Sequence, residues 1–105
     1  MNAQFKKGII ELLVLKAISD KEMTAFEVIS TLGDAVDVNE NTIYPILRRL
    51  SQQDYFITKK VPSKIGAPKK VYQITEKGNE KLNKERSEWE TFLAQVFKIL
   101  GGQHV

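Results

Sequence analysis

The sequence lacks the side chains on which most covalent and metal chemistry depends. It has no cysteine and a single histidine, His104, so it can form neither a disulfide bond nor a thiolate nucleophile. The phosphate-binding patterns GxGxxG and GxxxxGKS/T do not occur, and the carboxylates are scattered along the chain. We therefore expect a protein that is not an enzyme and that needs no cofactor and no metal.

Long apolar runs are also missing. The densest apolar stretch, residues 9–18, is interrupted by Glu11 and Lys16 and is too short to cross a membrane. The first residues do not have the cleavage site of a signal peptide. With 105 residues, of which 42% are hydrophobic and 28% charged, the chain fits one small globular domain. We expect a cytoplasmic protein without a membrane partner.

Positive charge is concentrated in the middle of the chain. Residues 41–75 contain seven basic side chains and one acidic side chain, a net charge of +6. Residues 1–40 contain four basic and seven acidic side chains, a net charge of −3. A basic block of this kind is typical of a surface that binds a polyanion such as nucleic acid, although a merely solvated face has the same composition.

The first half of the chain predicts three helices. Residues 4–19 are apolar around most of a helix, so we expect this helix to need partners on two sides, one of them a second subunit. The second helix begins with the capping-box spacing of Thr24 and Glu27 and is expected to stop at Gly33. A short polar connection, residues 34–40, then leads to the third helix.

The third helix contains a proline, Pro45, and two adjacent arginines. Asn39 or Asn41 can cap this helix, so Pro45 falls in its first turn or just beyond, where it removes at most one or two hydrogen bonds. Four apolar residues between Ile43 and Leu50 share one arc. Asparagine and arginine can bond base edges, and threonine and tyrosine hydroxyls can reach phosphates. The predicted DNA contacts on this helix are Asn41, Thr42, Tyr44, Pro45, Arg48 and Arg49.

The second half predicts a β-hairpin and one long helix. Residues 55–58 and 71–75 are rich in β-branched and aromatic side chains, as strands are. The long loop between them carries three lysines that we expect to meet phosphates: Lys64, Lys69 and Lys70. The final helix runs from Glu76 to about Leu100, and apolar side chains seven residues apart suit pairing with another helix.

This order of elements predicts a mainly α fold with a small β-hairpin: a winged helix-turn-helix followed by a long C-terminal dimerisation helix. In such folds the recognition helix enters the major groove of DNA and the hairpin reaches the adjacent backbone. We expect residues 1–75 to form the DNA-binding domain, and residues 76–105 to form the dimerisation helix as a single unit with the first helix. The alternative is a dimeric winged-helix module that binds protein instead of specific DNA, but lysines on the hairpin favour DNA.

Three stretches of the chain resemble PadR-type transcriptional regulators, over about residues 5–80. GIIELLVLKAIS resembles the opening helix of this family, TIYPILRRLSQQDYF its third helix, and GAPKKVYQITEKG its wing and second wing strand. The glycine that commonly precedes the aromatic residue of the second helix is missing, and lysines stand in the wing where arginine is common. The resemblance implies a homodimeric repressor of the short subgroup, which binds a palindromic operator in double-stranded DNA.

Trp89 is the only tryptophan of the chain. Packing in a dimer interface is one explanation of its position. The other comes from the resemblance to short PadR-type members, in which paired tryptophans flank a pore that stacks planar aromatic molecules. A small effector bound there would release the repressor from DNA. The side chains expected to line this pocket are Trp89, Phe92, Leu93, Phe5 and Ile9.

Overall fold

The structure, a computed structural model, describes the backbone of residues 3–101 and the side chains of residues 6–101. The elements follow the predicted order of three helices, a hairpin and a long helix. They are α1 (Ala3–Asp20), α2 (Ala25–Val36), α3 (Glu40–Gln52), β1 (Phe56–Val61), β2 (Lys69–Ile74) and α4 (Glu76–Ile99). The fold is a winged helix-turn-helix, as predicted.

The first helix lies at the centre of the hydrophobic core. Val14 and Leu15 are fully buried, and α1 contacts α2, α3, β2 and α4 of the same chain. Most of the cover of α1 thus comes from its own chain, and a second subunit against it stays a prediction. The long C-terminal helix α4 packs along α1. Among the core-facing residues of α1, only Ile9 and Leu13 stay half-buried.

The second helix begins where the sequence predicts and ends later. The Thr24 hydroxyl accepts a hydrogen bond from the Glu27 N–H (3.1 Å), and the Glu27 carboxylate accepts one from the Thr24 N–H (2.8 Å). The predicted stop at Gly33 is wrong, because the helix continues to Val36 and ends at Asp37, whose φ is 52°. Aspartate is among the few residues other than glycine that adopt this left-handed conformation. The connection to α3 is accordingly three residues long.

The third helix accommodates its proline near the start. The Asn39 side chain accepts a hydrogen bond from the Asn41 N–H (2.9 Å), so Asn39 is the cap and Pro45 lies in the second turn. There the proline removes one intrahelical hydrogen bond, the one to the Asn41 carbonyl. The apolar arc is fully inside the molecule, since Ile43, Ile46, Leu47 and Leu50 are all buried. The opposite face is left to the solvent.

The hairpin is longer than the sequence predicts. Its antiparallel strands pair from Phe56 with Ile74 to Val61 with Lys69, so Lys69 and Lys70 lie in β2 and not in the loop. These exposed positions accept lysine because most of the hairpin is in contact with solvent on both faces. Tyr72 also exchanges two backbone hydrogen bonds with Met23 (3.2 and 2.7 Å), which ties the hairpin to the start of α2.

The last helix changes character along its length. Thr75 caps it by accepting a hydrogen bond from the Gly78 N–H (2.9 Å), and Gly78 and Leu82 are buried. Beyond Leu82 the described apolar side chains are at most half-buried, and Ile99 and Leu100 are largely exposed. None of the described helices combines the length and the apolar content that crossing a membrane requires.

Candidate nucleic-acid interface

The exposed face of α3 carries most of the predicted contact residues. Asn41, Tyr44, Pro45 and Arg48 are exposed, and Thr42 lies half-buried at the edge of the same face. Because the helix packs through its apolar arc, these side chains point away from the core at helical spacing. The face therefore offers amide, hydroxyl and guanidinium groups from one rigid element.

The start of α2, the exposed face of α3 and the wing enclose a groove, which we call the α2–α3–wing groove. Tyr44 and Arg48 line it from α3, and Lys69 and Lys70 line it from β2. The lining is completed by Thr24, Ala25, Phe26, Glu27 and Tyr72. Side chains that are more than twenty residues apart in the sequence thus form one cationic surface.

The base of the wing is held firmly in place. The Lys70 ammonium lies 5.4 Å from the centre of the Tyr72 ring, and this ring meets Phe56 edge-on at 6.3 Å. Lys59 forms an ion pair with Glu22 (2.9 Å), so it serves to fix the wing to the α1–α2 link. Lys64 is exposed in the wing loop, away from the groove.

Glu27 brings a carboxylate into the groove, but the capping box holds it at the end of α2. The hydrogen bond from the Thr24 backbone N–H lowers the pKa of Glu27 despite the opposing effect of slight burial, and the Thr24 hydroxyl, Lys21 and Lys69 lower it further. At neutral pH Glu27 is therefore ionised and satisfied within its own helix. The positive charges of Lys69, Lys70 and Arg48 therefore make the groove attractive to an anion.

Two lysines of α1 lie beside the recognition helix, although the sequence pattern gave no reason to place them there. Lys6 and Lys7 line a second groove together with Asn41, Thr42 and Pro45. Their signal in the sequence is the adjacent lysine pair, but it stands in a segment of net negative charge. Only the packing of α1 against α3 brings them to this face.

Arg49 is placed differently from the other predicted contacts. Its guanidinium forms an ion pair with Glu11 of α1 at 2.5 Å, and the two side chains are 31% and 20% exposed. The pair joins α3 to α1. Arg49 is thus already engaged within the chain, whereas Arg48 next to it is exposed.

The predicted pocket residues fall on two sides of Trp89. Phe92 meets Trp89 edge-on at 6.0 Å, and both line a groove with Gly8, Glu11, Glu85 and Glu88. Ile9 and Leu93 lie with Trp89 in a different groove, between α1 and α4. The Phe5 side chain lies outside the described residues, as does His104. Within one chain Ile9, Phe92 and Leu93 thus lie around the Trp89 ring, but in two separate grooves.

Comparison with known proteins agrees with this geometry. The family model of the transcriptional regulator PadR-like family matches residues 14–84, which include α2, α3 and the wing. The chain belongs to the PadR-like family. Its members are transcriptional regulators and not enzymes, in agreement with the prediction from the sequence. Trp89 lies beyond the matched segment.

Solved transcriptional regulators, two of them PadR-like, share the fold over more than nine-tenths of this chain. A PadR-like regulator from Bacillus cereus is 30% identical, with a TM-score of 0.85 over 96% of this chain and 100% of that chain. A PadR-like transcription factor from Bacteroides fragilis is 31% identical, with a TM-score of 0.79 over 92% and 95% of the two chains. A transcriptional regulator from Streptococcus is 28% identical, with a TM-score of 0.84 over 93% and 98%. No curated protein matches the sequence.

Proposed function

We propose that this PadR-like protein is a homodimeric repressor that acts in the cytoplasm on a palindromic operator. The observation that carries the proposal is the α2–α3–wing groove, where Tyr44 and Arg48 of α3 stand beside Lys69 and Lys70 of the wing. A helix inserted in the major groove would bring the wing lysines to the adjacent phosphates. The family assignment supports the regulatory role.

The side chains divide by chemistry. Asn41 and Arg48 are suited to base edges, because an amide and a guanidinium can each make paired hydrogen bonds there. Thr42, Tyr44 and the lysines at positions 64, 69 and 70 are suited to phosphates, and Pro45 packs against the sugar–phosphate backbone. Lys6 and Lys7 extend the phosphate-binding surface on the other side of α3. Arg49 is held by Glu11, so we assign it to positioning α3.

The proposed dimer forms through the second half of α4. Trp89, Phe92, Val96 and Ile99 recur at helical spacing, and Ile99 is 83% exposed. Apolar side chains so arranged on an exposed helix are typical of an interface between subunits. Val96→Glu should give a folded monomer in sedimentation experiments, whereas Gln95→Glu, which adds the same charge at an exposed position, should leave the dimer intact.

Selection of bound sequences from random duplex DNA tests the proposed function. We expect enrichment of a two-fold symmetric site whose half-sites lie about one helical turn, 34–36 Å, apart. Arg48→Ala should change the preferred bases, whereas Lys64→Ala should weaken binding to all sequences. If the folded dimer enriches no sequence and a salt gradient releases it early from DNA, the protein-interaction module is the better interpretation.

The effector proposed for this repressor is a planar aromatic cation. Trp89 and Phe92 offer aromatic surface, and the Glu88 carboxylate lines the same groove beside Glu11 and Glu85, which are paired with Arg49 and Lys81. Such a molecule should quench Trp89 emission and release the operator, and its uncharged isostere should bind less well. The Trp89→Ala variant should keep its affinity for the operator but should no longer release it when the ligand is added. If the variant fails to dimerise, Trp89 is part of the interface core.

A further inference from the structure

Phe26 is a large apolar side chain that the fold leaves in water. It is 74% exposed, although its neighbours Ala25 and Val28 on the same helix are buried. It lies in the first turn of α2, where the capping box formed by Thr24 and Glu27 fixes the backbone on both sides of it. The packing of α2 therefore turns Phe26 outward on a rigid segment, and the core gains nothing from its ring.

The surroundings of Phe26 are cationic. It lines the α2–α3–wing groove together with Arg48, Lys69 and Lys70, and the exposed edge of Tyr44 lies in the same groove. Other exposed apolar side chains, such as Ile57 and Ile65, do not line it. An aromatic ring next to three cations fits a ligand that carries both negative charge and a small apolar group.

We propose that Phe26 is a specificity-determining residue that contacts the methyl group of a thymine beside the base read by Arg48. This inference rests on the proposed function. In the major groove the thymine methyl is the apolar group that base edges present, and phenylalanine is among the side chains that contact it. The first helix of a helix-turn-helix ordinarily crosses the backbone, but Phe26 stands where the start of α2 meets the recognition helix.

Deoxyuridine tests this contact, because it differs from thymidine in the base only by the missing methyl group. In the duplex obtained by selection, each thymine is replaced in turn and the affinity of the full-length protein is measured. At one position in each half-site we expect the wild type to lose about fourfold in affinity, the value of burying one methyl group. Phe26→Ala should lose at least as much on the original duplex and be indifferent to the replacement there.

Two further variants distinguish a contact with the thymine methyl group from a general effect of truncating an exposed apolar side chain. Phe26→Leu retains an apolar side chain and should keep part of the sensitivity to deoxyuridine. Ile57→Ala also truncates an exposed apolar residue, 51% exposed, and should keep the full sensitivity because Ile57 lies outside the groove.

The outcomes distinguish the inference from the proposed function. If the wild type binds its selected duplex but Phe26→Ala weakens binding equally on selected and random DNA, Phe26 contacts the sugar–phosphate backbone and the inference is overturned. It is also overturned if wild type and Phe26→Ala respond alike to every deoxyuridine. If the wild type selects no duplex at all, the proposed function itself fails.

Discussion

The α3–wing region and the second half of α4 both leave a surface to be covered, but the chemistry of the two surfaces is opposite. On α3 the aliphatic side chains are buried and most of the exposed side chains are polar or cationic. Leu47, which is buried, is followed directly by Arg48, which is exposed. Along α4 beyond Leu82 the apolar side chains are half-buried, as at Trp89, or exposed, as at Phe92 and Ile99. One surface suits an anion, and the other suits a second apolar surface.

The difference shows that exposure alone does not identify a partner. Both helices are amphipathic, yet α3 uses its apolar side to pack on the core of its own chain, whereas the second half of α4 extends past that core. The α3–wing region also meets the elements beside it: the Glu11–Arg49 ion pair joins α3 to α1, and Gly78 at the start of α4 approaches the Tyr55 carbonyl next to the wing. Substitutions in each region and at each junction can test how separate the two surfaces are.

The largest effect is expected from the lysines of the wing. Replacing Lys64, Lys69 and Lys70 together by alanine should lower the slope of log K against log salt by about 0.9 for each phosphate that is no longer neutralised. For three phosphates in each half-site this amounts to roughly a hundredfold weaker affinity per half-site at physiological salt. The decrease should be similar on operator and random DNA, since phosphates carry no sequence.

A matched variant removes the same charge from α1 and α4, outside the groove. Lys16, Lys84 and Lys98 are exposed on α1 and α4, and none of them lines the α2–α3–wing groove. Replacing these three by alanine should leave the salt slope nearly unchanged. An equal decrease in both triple variants would mean that net charge, and not the placement of the wing lysines, determines binding.

The next effect is at the junction of the wing with α4. In Gly78→Ala the new Cβ would overlap the Tyr55 carbonyl, a backbone group that cannot move aside alone, and would press on Ile74. We expect the unfolding free energy to fall by about 1–3 kcal/mol, the usual cost of overpacking. Gly33→Ala is the control: its nearest atom is the Val38 carbonyl oxygen at 3.5 Å, and α2 should gain up to about 1 kcal/mol. Denaturant titration measures both.

The elements of the fold were largely predictable, because each has a local chemical signal. The capping box of Thr24 and Glu27, the apolar arc of α3 and the β-branched hairpin all act within a few residues of the chain. The predicted end of α2 at Gly33 failed because glycine is tolerated within a helix, and Asp37 could adopt the left-handed conformation instead. The packing of α4 on α1 within one chain was not predicted, because the two helices lie far apart in the sequence.

The positive charge of the candidate site was predictable from the sequence, but the positions of its side chains relative to one another were not. The basic block spans α3 and the wing, but periodicity could not show that Arg49 is paired with Glu11, thirty-eight residues earlier. Nor could it show that Lys6 and Lys7 lie beside Asn41. These proximities are long-range in the sequence, and they depend on how α1 packs against α3.

The Glu11–Arg49 pair should matter more than an exposed ion pair of the same type. Both of its side chains are more than two-thirds buried, so Glu11→Gln leaves a guanidinium with a weaker partner and should cost about 1–2 kcal/mol of stability. Asp20→Asn breaks the exposed pair with Lys16 and should cost under about 0.5 kcal/mol. Thermal unfolding of both variants measures the difference, and equal values would show that the junction is no stronger than the surface.

The smallest effect concerns the capping box of α2, which orients the side of the groove that carries Phe26. Because the Thr24 N–H lowers the pKa of Glu27 below its ordinary value of 4.5, ionised Glu27 stabilises the folded state above that value. This contribution should be lost as the pH falls through the lowered pKa of the folded state.

Glu27→Gln can keep the capping hydrogen bond but cannot titrate. The stability difference between wild type and Glu27→Gln should therefore be constant from pH 7 to about 5 and shrink below about 4.5. Urea titrations across this range measure it, and a difference that grows on acidification would show that Glu27 is stabilised in its protonated form instead.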